Sequence, residues 1–569
     1  MIEVDVQGQV VFVTADHRET TRLKMIPGMK YNKNRQQWTM PLGLTALACL
    51  MEYPGRTCTN DAAAALDHLQ HQSEAQETRR KADHPIEGRP HLYPFQNAGV
   101  RFIAGGKRVL MADEMGTGKT VQALTALDQV NAYPILVVCP NGLKHNWAKE
   151  VEQWTDAVAV VIEGTAANRR KLIEEARYWQ SAPEPIKTVV IINYESLVKH
   201  TKQASFGNTV LTDEQKAEKE LNDIEWKAVV VDEAHRIKSP KAHSTRAVWG
   251  VSRGAPYRIA LTGTPVVNNP DDLWSIMHFL IPEQQNSRTR FRDRWCIVRP
   301  GWHGGIENLG LQEGAPRREL DVILKPTIIR RTKAEVLPEL PEKILTTRHL
   351  DMGAKQAKAY NQMVAYMMAE VEGGTLTATD PLTLLGRLRY AASAFPVVDT
   401  DGNVVSLNTP SNKLTEVKAI IAESTGPVVV YGESRKLIEL LADELADNYR
   451  LGMITGMIPL RARQGYVEMF QDGQLDVMLA TTGAGAEGIT LTASSRMIMV
   501  QESWSNVANK QAHDRIHRIG QDRGSEIITL ISEGTIDQAV HTATMEKEEQ
   551  LQALVRDPAW FMAAIKGEV

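Results

Sequence analysis

A glycine-rich stretch between an apolar run and a helix-like run is the feature with the clearest chemical meaning. Met115-Gly-Thr-Gly-Lys-Thr120 follows the apolar residues Val109-Leu-Met-Ala112. It precedes Val121 to Val130, whose periodicity is that of a helix. The order strand, loop, helix places backbone N–H groups and the positive end of a helix dipole around the loop. Such a loop is suited to bind phosphate groups.

The side chains of this loop extend the same chemistry. Gly116 and Gly118 let the backbone close around phosphate oxygens, Lys119 adds a positive charge, and Thr120 offers a hydroxyl that can hold Mg²⁺. We therefore predict a nucleoside triphosphate site, with a coincidental glycine-rich turn as the alternative. The predicted nucleotide-binding residues of the loop are Met115, Gly116, Thr117, Gly118, Lys119 and Thr120.

Two adjacent carboxylates follow a second apolar run, Val229-Val-Val231. Asp232 and Glu233 would lie at the carboxyl edge of a parallel sheet, where open α/β folds bind ligands. Asp232 can hold Mg²⁺ through water, and Glu233 can deprotonate the water that attacks the γ-phosphate. A helix N-cap is the alternative explanation for such acids.

A third pattern lies far downstream, in the segment Gln511 to Gln521. Arg515 and Arg518 are three residues apart and would share one face of a helix. A solvated basic surface is one interpretation. The other is an arginine finger, which would stabilise the transition state of phosphoryl transfer.

The elements that must position these residues are visible as two sets of short apolar runs alternating with helix-like stretches. This rhythm predicts parallel sheets covered by helices on both faces. The first set is Val109 to Ala112, Ile135 to Cys139, Thr188 to Ile192, Ala228 to Val231 and Arg258 to Leu261; the second is Pro427 to Tyr431, Leu451 to Ile454, Asp476 to Ala480, Arg496 to Val500 and Glu526 to Leu530.

Helical periodicity fills Lys355 to Val371 and Pro381 to Ala392, whereas the N-terminus reads as a small β-rich unit with a hairpin around Val4 to Val13. The fold class we predict is α/β, with two parallel-sheet lobes, helical insertions and a small N-terminal α+β accessory unit. Its predicted parts are 1–55, the accessory unit; 56–90, a linker and exposed helix; 91–282, lobe 1; 283–410, helical insertions and inter-lobe linker; 411–540, lobe 2; and 541–569, a helical tail.

Composition excludes several other classes of protein. The 569 residues are 43% hydrophobic and 24% charged, with a net charge of −4, which is typical of a globular protein with several domains and not of a polycationic or disordered chain. The four cysteines, Cys49, Cys58, Cys139 and Cys296, form no metal-binding pair. Without a signal peptide or a long apolar run, we expect a cytoplasmic protein of the nucleoid or of a phage-infected cell.

Five motifs in this order resemble those of the Swi/Snf-type superfamily-two ATPases. They are Asp113-Glu-Met-Gly-Thr-Gly-Lys-Thr120 in the shortened form of the phosphate loop, Asp232-Glu-Ala-His235, Leu261-Thr-Gly-Thr-Pro265, Arg330-Arg-Thr-Lys333 with Leu340-Pro-Glu-Lys343, and Gln511 to Gln521. The resemblance covers about residues 91 to 540. It implies that the two parallel-sheet lobes are RecA-like, with ATP as substrate, Mg²⁺ as its metal and DNA as partner.

Within that family the chain is most similar to the annealing-helicase, or HARP-type, fork remodellers. Leu92-Tyr-Pro-Phe-Gln96, Arg294-Trp-Cys296 and the Ile306-to-Lys333 stretch carry this similarity. Ile26-Pro-Gly-Met-Lys-Tyr31 also resembles a HARP-type module, although a generic β-unit explains it nearly as well. The resemblance implies a compact bacterial or phage member of the subgroup.

The family's motifs imply roles for further residues. Gln96 corresponds to the adenine-reading glutamine, with a surface glutamine as the alternative. Thr262 to Thr264 would couple the nucleotide site to DNA. Gly485, Gly488 and Thr490 correspond to a second-lobe motif at the nucleotide edge, although Ala486 and Thr490 depart from its usual residues. Trp504 precedes the finger segment, where a buried structural aromatic is the alternative.

DNA phosphates would be met by hydroxyls, backbone N–H groups and cations. For each candidate, a solvated surface position is the alternative. The predicted DNA-contacting residues are Lys144, Thr262, Arg330, Arg331, Lys333, Lys413, Thr481, Thr482 and Trp504. The acidic stretch Asp213 to Asp223 would repel the backbone and is expected away from it.

Together these features predict an ATP-dependent double-stranded DNA translocase that remodels forks or anneals strands. A strand-separating helicase and a translocase that strips bound proteins such as RNA polymerase from DNA are the alternatives, and a non-hydrolysing ATP switch is the alternative of another class. Catalysis is assigned to Lys119, Asp232, Glu233, Arg515 and Arg518. We expect a monomer with replication or repair proteins as further partners. Deletion of residues 1–55 is expected to spare basal hydrolysis.

Overall fold

A computed structural model describes residues 1–51, 53–89, 91–202, 219–264, 272–300, 306–378, 381–485 and 488–555. The chain forms two compact units. The first contains Met1–Glu114 and Gly118–Thr332, and the second contains Met115–Thr117 and Lys333–Gln550.

The N-terminal part of the first unit is a five-stranded sheet flanked by helices. Strand β1 pairs antiparallel with β2, which confirms the predicted hairpin, and parallel with β5, so the strand order is β3-β4-β2-β1-β5. A long helix follows, capped by the Thr59 hydroxyl, with Asp61 in its first turn and basic residues in its last. The elements are β1 Ile2–Gln7, β2 Val10–Ala15, α1 Thr20–Lys24, β3 Lys30–Asn32, β4 Gln37–Pro41, α2 Leu44–Met51, β5 Arg56–Cys58 and α3 Asn60–Lys81.

The rest of the first unit is built on a parallel sheet in the order β14-β6-β11-β10-β7-β9-β8. Its central strands are rich in β-branched residues and buried, as a sheet covered on both faces requires. The elements are α4 Pro94–Gly106, β6 Arg108–Met111, α5 Lys119–Gln129, β7 Ile135–Cys139, α6 Lys144–Trp154, β8 Val158–Val161, α7 Ala166–Ser181, β9 Thr188–Asn193, α8 Tyr194–His200, β10 Ala228–Asp232, α9 His243–Val251, β11 Tyr257–Leu261, α10 Asp272–Leu280, α11 Arg288–Trp295, β12 Cys296–Pro300, β13 Ile306–Leu311, α12 Ala315–Leu324 and β14 Ile328–Ile329.

The second unit has its own parallel sheet, in the order β15-β24-β23-β20-β22-β21. Its elements are α13 Lys333–Val336, β15 Lys343–Leu350, α14 Ala354–Tyr366, β16 Met368–Val371, β17 Gly374–Thr377, α15 Pro381–Ser393, β18 Phe395–Val398, β19 Val404–Asn408, α16 Asn412–Ala422, β20 Val428–Gly432, α17 Arg435–Leu445, β21 Leu451–Ile454, α18 Leu460–Gln471, β22 Val477–Thr481, α19 Thr482–Gly485, β23 Arg496–Met499, α20 Asn506–His513, β24 Ser525–Ser532 and α21 Ile536–Val555.

The predicted α/β class with two parallel sheets is confirmed, and each predicted strand lies within two residues of an observed one. The interval 283–410 differs from its prediction as a helical connection. It contains the antiparallel hairpins β12–β13, β16–β17 and β18–β19, and it is divided between the units after Thr332. The periodicity of Lys355 to Val371 ends as a helix at Tyr366, because the following residues pair in a hairpin.

The N-terminal sheet shares a hydrophobic core with the first parallel sheet, so the accessory unit is not separate from lobe 1. Three polar contacts fix α2 and the turn after α1 to the segment between α10 and α12. Gln284 Oε1 accepts from the backbone N–H of Thr45 (2.9 Å), and Asn286 accepts from that of Gly28 (3.2 Å). Arg290 Nη1 donates to the carbonyl of Met29 (2.6 Å). Deletion of residues 1–55 would remove part of this shared core, and its effect on hydrolysis stays a prediction.

In the described part of the chain, no helix has both the length and the apolar character that a membrane span requires.

Candidate functional site

The glycine-rich loop lies between the end of β6 and the start of α5, as predicted. Gly116 and Gly118 have φ values of 79° and 74°, in the left-handed region that favours glycine. At Gly118 a side chain would also meet Gln96, since an added Cβ would lie 2.5 Å from its Nε2. Helix α5 begins at Lys119, so the N–H groups of its first turn border the loop.

Lys119 lies against the loop that it follows. Its ammonium donates to the carbonyl oxygens of Asp113 (2.8 Å) and Glu114 (3.0 Å). Thr117 is buried and Thr120 is partly exposed at the first turn of α5. A cation and a hydroxyl therefore flank a set of backbone N–H groups, which is the donor set that a triphosphate requires.

Asp232 is the last residue of strand β10, which lies between β7 and β11, and Glu233 directly follows it. Trp147 of α6 donates its indole N–H to Asp232 Oδ2 (2.8 Å), and the backbone N–H of Glu233 donates to Oδ1 (2.9 Å). Glu233 has a φ of 49°, so a non-glycine residue adopts the left-handed conformation at the position predicted to be the base. His235 lies 3.3 Å from the Glu233 carboxylate.

Charges converge on Asp232. Burial and the neighbouring Glu233 raise the pKa of Asp232 to about 6, while the Trp147 hydrogen bond and the charge of Lys119 oppose that rise. The three predicted catalytic groups of the first unit, Lys119, Asp232 and Glu233, are therefore brought together. A divalent cation beside this carboxylate pair would offset their mutual repulsion, so the oxygen-rich donor set of Asp232 and Thr120 fits Mg²⁺.

Thr262, at the end of β11, contacts the acidic motif. His235 Nδ1 and Thr262 Oγ1 lie 3.2 Å apart, and Thr262 Oγ1 also accepts from the backbone N–H of Thr264 (3.1 Å). Thr262 is 1% exposed. This places the threonine in contact with the Asp-Glu-Ala-His segment, while its role toward DNA stays a prediction. Pro265 lies outside the described residues.

Gln96 is buried in the first turn of α4, which excludes the surface alternative. Its Oε1 accepts from the backbone N–H of Tyr93 (3.0 Å), closing a capping box, and its Nε2 faces Gly118. The side chain thus joins the start of α4 to the phosphate loop. Contact with adenine stays a prediction.

Arg330 and Arg331 bond to protein atoms. Arg330 Nη1 donates to the carbonyl oxygen of Ala112 (2.9 Å). Arg331 forms a two-pronged ion pair with Asp113, in which Nε lies 3.1 Å from Oδ1. Asp113 is fully buried. The placement supports a structural role at the phosphate loop rather than the predicted contact with DNA.

Three predicted DNA-contacting lysines are buried. Lys144 donates to the carbonyl oxygen of Ile162 (3.3 Å), and Lys333 bonds within the second unit. Lys413 is completely buried and pairs with Asp537 at 2.6 Å. Because a buried, paired ammonium cannot also reach a phosphate, the prediction for Lys413 is wrong. The placements of Lys144 and Lys333 do not support the prediction that these two lysines contact DNA.

In the second unit, Arg515 and Arg518 lie just after α20. Arg515 Nε donates to the carbonyl oxygen of Gln511 (2.8 Å), and Arg518 Nη1 donates to Thr490 Oγ1 (2.9 Å). Thr490 therefore contacts the predicted finger, and Gly488 two residues earlier has a φ of 75°. The second-lobe motif and the finger segment are neighbours in this unit. Ala486 lies outside the described residues.

The remaining DNA candidates of the second unit differ in exposure. Thr481 and Thr482 are 8% and 1% exposed, whereas Trp504 is 40% exposed. The buried-aromatic alternative for Trp504 is therefore wrong, and its contact with DNA stays a prediction. Of the acidic stretch, residues 213–218 lie outside the described residues, as do Gly304 and Gly305.

Two residues of the site were not found from the sequence. Trp147 donates to the Asp232 side chain, and the Tyr194 hydroxyl donates to the Asp232 backbone carbonyl. Trp147 lies on α6, which follows the neighbouring strand β7, and Tyr194 begins α8, which follows β9, the next strand beyond β7. An aromatic residue at such a helix start, with a polar atom to satisfy, is the signal that could have identified them.

The first unit contains a phosphate loop and a paired-acid motif on a parallel sheet, and the second unit has a parallel sheet of its own. These features indicate an ATPase of the helicase type with two lobes. The family models agree. The SNF2-related domain matches residues 95–394, and the helicase conserved C-terminal domain matches residues 412–520. The chain therefore belongs to the SNF2-related family, and the predicted Swi/Snf-type superfamily-two ATPase is confirmed.

Its similarity to individual proteins is moderate. It is 28% identical to the "DNA annealing helicase and endonuclease ZRANB3" of Bos taurus over 80% of this chain and 39% of that protein. It is 26% identical to the human "SWI/SNF-related matrix-associated actin-dependent regulator of chromatin subfamily A member 1", over 80% and 42%. The chain thus spans about two fifths of the length of these relatives. A Sulfolobus solfataricus SWI2/SNF2 ATPase core in complex with dsDNA aligns at 24% identity, covering 83% of this chain and 94% of that one, with a TM-score of 0.38.

Proposed function

We propose that this protein is an ATP-dependent double-stranded DNA translocase that couples DNA-stimulated ATP hydrolysis to fork remodelling or strand annealing. The observation that carries the proposal is the convergence of Lys119, Asp232 and Glu233 beside the glycine loop, in a chain that matches both family models. The annealing task rests on similarity to a relative whose name includes "DNA annealing helicase".

The residues of the first unit have distinct roles in this proposal. The loop N–H groups and Lys119 bind the phosphates, while Trp147 fixes the orientation of Asp232. Glu233 removes a proton from the attacking water. Bound Mg²⁺, held by Thr120 and through water by Asp232, would neutralise phosphate charge. Arg518, or Arg515 in its place, supplies the positive charge of the finger.

The proposal is tested by steady-state ATP hydrolysis with no nucleic acid, single-stranded DNA, duplex DNA, forked DNA and RNA, at equal nucleotide concentration and fixed salt. Strongest stimulation by duplex or fork supports it. Glu233→Gln should retain ATP binding and lose hydrolysis, and normal turnover in this variant would contradict the role of Glu233.

The task is then resolved with three DNA substrates. Annealing of complementary strands without displacement of a blocked duplex supports fork remodelling. Displacement of the blocked strand would favour a helicase instead, and ATP-dependent release of a stalled RNA polymerase would favour a protein-stripping translocase.

A further inference from the structure

The boundary between the two units falls inside one charged tetrapeptide, Arg330-Arg-Thr-Lys333, because the first unit ends at Thr332 and the second begins at Lys333. We infer that this tetrapeptide is a double anchor: Arg331 positions the first-unit residues that flank the phosphate loop, and Lys333 positions the arginine-bearing segment of the second unit. The inference rests on the ATP hydrolysis proposed above, and it assigns to these cations a positioning role instead of contact with DNA.

Arg331 is bonded to three elements that surround the loop. Its guanidinium pairs with Asp113, the second residue after β6, and Nη2 also donates to Gln122 of α5 (3.0 Å). Nη1 donates to the carbonyl oxygen of Phe95 in α4 (2.5 Å), and the Phe95 ring lies 5.2 Å from the guanidinium carbon. One planar cation therefore fixes the strand before the loop, the helix after it and the helix that carries Gln96.

Backbone hydrogen bonds also hold the residues that precede the phosphate loop. Strand β14 pairs in parallel with β6, and the N–H of Ala112 donates to Ile329 O (2.7 Å). The N–H of Glu114, at the start of the loop, donates to the carbonyl oxygen of Arg331 itself (2.9 Å). Both the side chain and the main chain of Arg331 thus hold the residues from which the phosphate loop begins.

Lys333 makes an equivalent anchor in the second unit. Its ammonium is 4% exposed and donates to Asp514 Oδ1 (2.6 Å) and to the carbonyl oxygen of His517 (2.6 Å). Asp514 directly precedes Arg515, and His517 directly precedes Arg518. His517 Nε2 also lies 2.9 Å from the carbonyl oxygen of Pro341. The segment that carries both arginines is therefore fixed to the chain that follows the tetrapeptide.

Buried ion pairs are a poor way to gain stability, because apolar side chains of similar volume often serve as well. What such a pair supplies is a defined geometry. Here each pair borders a segment predicted to touch the nucleotide, and only Thr332 separates the two anchoring residues.

The two anchors should affect different steps. The phosphate loop binds the nucleotide in the ground state, so loss of the Arg331 anchor should weaken nucleotide affinity. The finger acts in the transition state, so loss of the Lys333 anchor should lower kcat and leave affinity unchanged. A merely structural role would not produce this crossed pattern, in which loss of the Arg331 anchor changes mainly Kd and loss of the Lys333 anchor changes mainly kcat.

The test compares Arg331→Gln and Lys333→Met in the full chain. Binding of a fluorescent, non-hydrolysed ATP analogue gives the nucleotide Kd, and duplex-stimulated hydrolysis gives kcat. Arg331→Gln should raise Kd by at least about tenfold. Lys333→Met should lower kcat by about 10²-fold, the usual consequence of a catalytic group misplaced by about 1 Å, with Kd within about twofold of wild type. Lys333→Arg and Arg331→Lys, which keep the charge, should be intermediate.

Two matched controls separate positioning from stability. Arg258 is a fully buried arginine of the first unit that donates to the carbonyl oxygens of Ala255 and Phe279. Lys413 is a buried lysine of the second unit that donates to Asp537 and to the carbonyl oxygen of Val500, both at 2.6 Å. Arg258→Gln and Lys413→Met should lower Tm as much as the test variants without the crossed pattern.

Equal changes in Kd and kcat for test and control variants, compared at equal folded fraction, would overturn the inference. So would a wild-type Kd in Arg331→Gln or a wild-type kcat in Lys333→Met. Failure of the proposed function would give a different result, because the wild-type protein itself would then show no hydrolysis stimulated by nucleic acid. In that case the Kd of Arg331→Gln still decides the first anchor.

Discussion

The hydrogen bond between Trp147 and Asp232 gives a sharp test of the site, because a single substitution removes its donor. Trp147 is 1% exposed, and its indole N–H donates to Asp232 Oδ2 at 2.8 Å. Phenylalanine keeps an aromatic ring at this position and removes the donor. Trp147→Phe should therefore lose some packing, as a large-to-small change in a core does, and release one oxygen of the carboxylate that is proposed to hold Mg²⁺.

The size of the effect follows from the kind of bond. A buried hydrogen bond to a charged group contributes about 1.5–3 kcal/mol. At about 1.4 kcal/mol for each factor of ten, this corresponds to a loss of roughly 10- to 10²-fold in kcat/KM for ATP if the bond acts fully in the transition state. The assay is duplex-stimulated ATP hydrolysis measured over a range of MgCl₂ concentrations. We expect the variant to need more Mg²⁺, since Asp232 is held less firmly.

Trp226 provides the matched control. It is also buried in the first unit, and its indole N–H donates to a backbone carbonyl, that of Leu221, at 3.0 Å. Trp226→Phe should lower Tm without changing the Mg²⁺ requirement. Equal kinetics for the two variants, or kcat/KM within about twofold of wild type in Trp147→Phe, would refute the assignment of Asp232 as the residue that holds the metal.

Three further predictions concern stability. Lys413→Met should lower the unfolding free energy of the second unit by about 3–5 kcal/mol, because it leaves Asp537 buried without its partner; urea denaturation measures this, and the added change Asp537→Leu should restore most of the loss. Hydrogen bonding to Glu502 raises the pKa of His541, so the protonated imidazole stabilises the fold below the ordinary pKa of 6.5 and this contribution disappears as pH rises through the raised pKa. His541→Gln should accordingly lower Tm more at pH 6 than at pH 8, and an equal decrease would contradict the ion pair. Arg290→Ala, which removes one of the contacts that hold the N-terminal sheet, should lower Tm and increase proteolysis of the first unit, whereas an unchanged proteolysis pattern would indicate that the sheet docks without it.

The two sheets could be predicted because parallel strands are buried on both faces. Val229-Val-Val231 and Ile135 to Cys139 are near-continuous apolar runs, and such runs read as strands without knowledge of their neighbours. The catalytic motifs follow these strands directly, so the strand order brings Lys119 and Glu233 to one sheet edge. The two-residue strand β14 escaped prediction because its formation depends on pairing with β6.

The cations could not be assigned in the same way. Arg331 is separated by 218 residues from Asp113, and Lys333 by 181 residues from Asp514. No local periodicity connects partners so distant in the chain. A basic residue near a phosphate-binding motif can serve a phosphate or an acid of the protein, and the sequence alone does not distinguish the two.

The burial of a cation distinguishes one that contacts phosphate from one that pairs with an acid of the protein. A lysine that contacts a DNA phosphate must keep its ammonium at the surface, whereas Lys144 and Lys333 are 5% and 4% exposed and bonded to protein atoms. Taking such a group out of water costs several kcal/mol unless a partner compensates it, so its release toward DNA would leave Asp514 buried without a cation. The charged residues that lie closest to the catalytic motifs therefore hold those motifs in place. In the proposed translocase, contact with duplex DNA would therefore depend more on hydroxyls, backbone N–H groups and cations that stay exposed.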